Sequence, residues 1–134
     1  MHADLVAAVR DRAHERCEYC QLPQSVRRLR FQIEHVIPKQ HRGDDGLGNL
    51  ALACGRCNRR KGPNIAGIDP ETGQMSRLFN PRSDRWAKHF AWRGPLAVGL
   101  TPVGRATIEV LQVNQADEIA IRLELIESRK FPPT

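Results

Sequence analysis

The sequence predicts an α+β fold drawn together by a cysteine clip. Three features carry that expectation. Two pairs, Cys17-Glu-Tyr-Cys20 and Cys54-Gly-Arg-Cys57, both read C-x-x-C. Between them, Phe31 to Ile37 alternates apolar and polar residues, as a short half-buried strand does. Helix signals stand on either side: an apolar face within residues 4–16, and Thr101-Pro102, a hydroxyl N-cap followed by proline at the first helical position. A length of 134 residues predicts one domain, 1–134, with a core over 15–62 and an irregular segment plus C-terminal helices over 63–134.

Taken in order, residues 4–16 form a helix capped by Asp4, with Leu5, Val6, Val9 and Ala13 on one face. Gln21 to Gln24 turns at Pro23, and Val26 to Arg30 is a basic loop or edge strand. Pro38 stops the strand that follows, and His41 to Gly48 is a glycine-rich loop. Asn49 caps a turn or short helix holding Leu50 and Leu52. Cys54 to Lys61 forms a short helix that Gly62-Pro63 ends. Residues 63–82 are mostly irregular, 83–90 form a capped helical turn, and Leu96-Ala-Val is a strand. The Thr101 helix buries Val103, Ala106, Thr107, Val110 and Leu111, and a last helix over 115–128 turns Ile119, Leu123 and Ile126 inward. Trp86, Phe90 and Trp92 form a satellite core.

Composition narrows the function classes. Twenty-one Lys+Arg against 15 Asp+Glu give a formal charge of +6, which draws a domain toward polyanions. No apolar run is long enough to span a bilayer, which excludes a helical membrane protein. No signal-peptide pattern opens the sequence, so the expected location is cytoplasmic, where paired cysteines bind metal more often than they form disulfides. Cys17, Cys20, Cys54 and Cys57 are therefore expected to hold one structural Zn²⁺. A closed four-sulfur shell does no chemistry itself. Closing it gathers Glu34, His35, Asn49 and Asn58. A carboxylate, an imidazole and amide oxygens beside basic residues point to metal-assisted cleavage of phosphodiesters.

The run Glu34-His-Val-Ile-Pro38, a glycine-bearing loop, Asn49-Leu50, then Cys54-x-x-Cys57-Asn58-x-x-Lys61-Gly62 resembles the His-Asn-His (HNH) endonucleases. The resemblance implies a ββα-metal core, a hairpin and a helix around one divalent ion, with the four-cysteine zinc seen in a subset of the family. It implies that His35 is the general base and that Glu34, where relatives usually carry Asp, ligates Mg²⁺ or Mn²⁺ with Asn58. Asn49 then orients the histidine, and Asn58 stands where many relatives have His. The expected substrate is DNA, with Lys39, Arg42, Arg59, Arg60 and Lys61 as phosphate contacts and His41 as a further one. A single core offers one cutting site, so a double-strand break needs two events or a homodimer. A zinc module that binds nucleic acid without cutting is the alternative.

Overall fold

A computed structural model describes residues 1–133. Length alone predicts one domain; the backbone divides into two compact units. Unit 1 is Met1–Ile65 with Asn80–Ser83, and unit 2 is Ala66–Phe79 with the chain from Asp84 onward. Five helices and three two-stranded sheets make a mixed α and β architecture among the described residues.

Unit 1 begins with α1, Ala3–Arg12, four residues shorter at its end than its apolar pattern predicts. His2, not Asp4, is the N-cap; its ring accepts from the Asp4 amide. The helix stops because His14 and Glu15 both take left-handed backbone angles, which no helix continues through. The chain then folds into a knuckle: the Cys17 amide donates to the Leu22 carbonyl and the Gln21 amide to the Cys17 carbonyl. Strand β1, Gln32–His35, pairs antiparallel with β2, Leu50–Ala53, in the register Gln32↔Ala53 to His35↔Leu50. The turn or helix expected around Leu50 and Leu52 is thus a strand. Its four residues are all buried, and a fully buried strand shows no alternation to read. Glu18 fastens the knuckle to β2, its amide donating to the Leu52 carbonyl and its carboxylate accepting from the Leu52 amide. Helix α2, Gly55–Lys61, follows at once, with the Cys54 sulfur as N-cap and Gly62 (φ +49°) as the stop.

Unit 2 holds two hairpins and three helices. The first hairpin, β3 (Ala66–Ile68) with β4 (Met75–Arg77), occupies the stretch expected to be irregular. Asp69 organises its turn, accepting from the Glu71 amide and the Thr72 hydroxyl. A helical turn α3, Trp86–His89, leads into the second hairpin, β5 (Phe90–Arg93) with β6 (Leu96–Gly99), the latter over the predicted strand. Helix α4, Pro102–Leu111, starts as the sequence predicts: the Thr101 hydroxyl accepts from the Gly104 amide and Pro102 is the first residue. Trp86, Phe90, Trp92, Phe79 and Phe131 form a chain of ring contacts with centroids 4.9–5.4 Å apart.

The last helix α5, Ala116–Glu127, buries a different stripe from the one expected. Glu118, Arg122 and Leu125 are buried, while Leu123 is 47% exposed. The Arg122 guanidinium sets this rotation. It lies 5.0 Å over the Trp92 ring and donates to the carbonyls of Pro95 and Val113. Those acceptors and that ring face need a cation, and Leu or Ile offers none.

Asp69 also accepts two hydrogen bonds of 2.9 Å from Arg105, which hold its carboxyl down to about 2. A carboxyl lowered in the folded state stabilises the protein above the ordinary carboxylate range and ceases to as it protonates. Urea unfolding midpoints should therefore fall as pH drops from about 4 toward 2. Asp69→Asn should be less stable above that window and flatter within it.

Candidate metal centre and catalytic cavity

The four cysteines are buried, and their sulfurs lie within 4.8 Å of one another. Cys20 Sγ and Cys54 Sγ are 3.8 Å apart. A disulfide needs about 2.05 Å. A tetrahedral zinc with bonds near 2.3 Å has an S···S edge of about 3.8 Å, so the donor set fits that ion in both chemistry and spacing. Contacts among the sulfurs, Cys17 first, push the Cys20 and Cys57 thiols up and draw Cys54 down. Four thiolates held so close need a central cation.

Tyr19, inside the first cysteine pair, donates its hydroxyl to Glu34 Oε1. Glu34 Oε2 lies 2.8 Å from Lys61 Nζ, with both side chains almost fully buried. Lys61 is thus the buried counter-ion of Oε2. Burial raises the Glu34 carboxyl above its usual range, opposed by the Lys61 charge. Burial, then Glu34, raises the Tyr19 phenol well above its own. Lys61 also donates to the Val36 carbonyl at 2.9 Å. The surface phosphate contact expected of Lys61 is therefore corrected: at 2% exposure it ties α2 to β1.

His35 ends β1 with its ring partly exposed, and its Nε2 is 2.7 Å from Asp45 Oδ1. A carboxylate only accepts, so Nε2 carries the proton and Nδ1 of the neutral ring is left as acceptor. Hydrogen bonds from His35 and then Lys39, at 3.1 Å, hold the Asp45 carboxyl below its usual range. Sequence reasoning missed Asp45. Only its place in the glycine-rich loop between two motif residues marks it.

Asn49, expected to orient the histidine through its amide or carbonyl, gives its side-chain hydrogen bonds to the loop. It accepts from the Ile37 amide and donates to the carbonyls of Ile37 and Asp44, all at 2.8–3.0 Å. A Cβ on Gly43 would lie 1.6 Å from the Ile37 carbonyl oxygen, so only glycine lets the loop close there. Asn49 thus fixes the loop that carries Asp45, the carboxylate in contact with His35. Asn58 donates its amide nitrogen to Gln32 Oε1, which leaves its oxygen unengaged.

Glu34, His35, Asn58, Lys39, Pro38 and Gly62 line one open cavity of about 310 Å³. The unengaged Asn58 amide oxygen on the cavity wall suits a hard divalent cation, which takes few protein ligands and completes its shell with water and phosphate, whereas Glu34 would join it only by giving up Lys61, its buried counter-ion. Of the other expected phosphate contacts, Arg42, Arg59 and Arg60 are exposed, as is His41.

Residues 17–64 match the family model described as HNH endonuclease. This segment is an HNH domain. It begins at the first clip cysteine and ends just past α2, so it contains the sulfur cluster and every residue of the cavity. The chain is also similar, over 124 residues and 91% of its length, to the Septu protein PtuB of Bacillus thuringiensis, at 25% identity. The chain spans 46% of that relative's length. No solved structure matches.

Lys61→Met should destabilise the zinc-loaded protein, without added divalent ion, by about 3–5 kcal/mol, because it strands a buried carboxylate. Urea unfolding measures this. Purified chain should carry one zinc by elemental analysis, and Cys57→Ser should lose it together with the folded state of unit 1.

Proposed function

We propose that the chain is a metal-dependent endonuclease that hydrolyses DNA phosphodiester bonds at the cavity between β1 and α2. The His35–Asp45 pair, with His35 in the cavity wall, carries this reading. With Nε2 donating to Asp45, Nδ1 is the basic nitrogen that takes a proton from the attacking water. The ionised Asp45 fixes the ring's tautomer and stabilises the imidazolium that forms, the role a carboxylate plays in a catalytic triad. Glu34 and Asn58 would hold Mg²⁺ or Mn²⁺, which supplies Lewis acidity at the phosphate and neutralises charge on the leaving oxygen. Lys39, which lines the cavity and pairs with Asp45, would meet a phosphate oxygen. The HNH domain supports a nucleic-acid substrate. Cytoplasmic action and pairing of two chains for double-strand breaks complete the proposal.

One observation favours the binding-only alternative: Lys61 already neutralises Glu34 from within the fold. Plasmid cleavage separates the two readings. Wild type with Mg²⁺ or Mn²⁺ should nick supercoiled DNA, and EDTA should stop it. His35→Ala should lose roughly 10²–10⁴-fold in rate, the usual worth of a general base. Asp45→Asn should lose up to roughly 10⁴-fold, the scale for an amide in place of the carboxylate that holds a general-base histidine in its tautomer. Both variants should keep zinc. A wild type that cuts no nucleic acid with any of several divalent ions would leave the binding module standing.

A further inference from the structure

A second cavity in unit 1, of about 400 Å³, lies outside the site just described. Arg27, Arg28, Arg30, Arg56 and Arg59 line it, with no acidic residue among its lining. The wall formed by residues 27–30 is a built loop. The Gln24 side chain donates to the carbonyls of Leu29 (3.0 Å) and Arg27 (3.4 Å) and accepts from the Phe31 amide. The Phe31 carbonyl in turn accepts from Arg10. Each end of the arginine run is thus pinned to the turn before it, so little order remains to be gained on binding. The opposite wall is α2, where the Arg59 head lies against Gly55; a Cβ there would come within 3.1 Å of it.

We propose that this groove is a docking track for the phosphodiester backbone of a nucleic-acid strand entering the catalytic cavity. The two cavities share a ridge. Gln32 lines the groove, Asn58 lines the catalytic cavity, and the Asn58 amide donates to Gln32 across it. A strand crossing that ridge passes from the arginines to His35. Five guanidiniums around one groove suit several phosphates in succession, since each can bind phosphate through two parallel hydrogen bonds. Leu29 is the second reason for choosing nucleic acid over a simple anion. It stands between Arg28 and Arg30 at 83% exposure, an apolar surface for a sugar or base beside the phosphates. The track rests on the nuclease reading only for its destination; binding in the groove stands by itself.

The test is fluorescence anisotropy of the zinc-loaded full chain with a labelled DNA duplex and its single strands, without added divalent ion, across a salt series. Arg28→Gln with Arg30→Gln changes two exposed side chains. It should weaken binding about tenfold or more near 0.1 M salt and lower the salt slope of log K by about 2. Lysine at both positions should keep most of the slope. Arg93→Gln with Arg129→Gln, exposed arginines of unit 2, removes the same charge and should leave the slope unchanged. An unchanged slope in the groove variant, or an equal fall in the control, overturns the proposal. Wild type that cuts DNA while the groove variant binds and cuts identically refutes the groove and spares the nuclease. Groove-dependent binding by a wild type that never cuts supports the groove and refutes the nuclease.

Discussion

Four buried sulfurs within 4.8 Å of one another constrain everything else in unit 1. Two come from the knuckle after α1 and two from the turn where β2 becomes α2. Holding them together closes a loop of about forty residues, and the hairpin inside it must pair in a register that lets both ends meet. The effect reaches the cavity through adjacent residues. Tyr19 sits between the first two sulfurs and touches Glu34, and Glu18 beside it ties the knuckle to Leu52. Asn58 follows the last sulfur directly, and Lys61 comes one helical turn later, where it meets the same glutamate. The position of each cavity residue on α2 is thus counted from a sulfur.

The Glu34–Lys61 contact is an unusual element to find beneath a cavity. Burying two charges costs several kcal/mol for each ion, and their attraction returns that only with good additional partners. Tyr19 and the Val36 carbonyl are those partners here. The resulting network fastens β1 to α2. Rigidity has a chemical use: His35 is the next residue along β1, and its ring can be aimed only if its strand does not shift. Asp45 reaches the ring from the other side, on a loop that Asn49 and Gly43 hold closed. The histidine is therefore positioned by two independent supports, one from the core and one from the loop.

What was legible in the sequence was local. The cysteine spacing, the β1 alternation, the helix ended by Gly62-Pro63 and the Thr101-Pro102 start each depend on residues within one or two turns, and each appears where the pattern puts it. What was not legible depends on partners far along the chain. Leu-Ala-Leu-Ala at 50–53 carries no alternation and favours helix by propensity, yet pairing with β1 makes it a strand. Lys61 reads as a surface cation because its carboxylate lies 27 residues upstream (61 minus 34). The stripe on α5 is displaced because Arg122 answers carbonyls that no periodicity encodes. In the site, His35, Glu34 and Asn58 line one cavity, while the Asp45 contact and the hydrogen bonds by which Asn49 holds the loop emerge only once the loop is closed.

The basic residues show why net charge is a weak guide to function and placement a strong one. The cations that the sequence groups near the clip have three different fates. Lys61 is consumed inside the fold, and Lys39 is paired with Asp45 at the cavity rim. Arg27, Arg28, Arg30, Arg56 and Arg59 face a common groove whose lining has no carboxylate. Like charges gathered around one groove repel each other, and such a grouping raises the energy of the free protein unless an anion occupies it. An even scatter over the surface would have served solubility equally well. A polyanion spanning the groove would offset that repulsion, which is why the arrangement carries more information than the sum of +6.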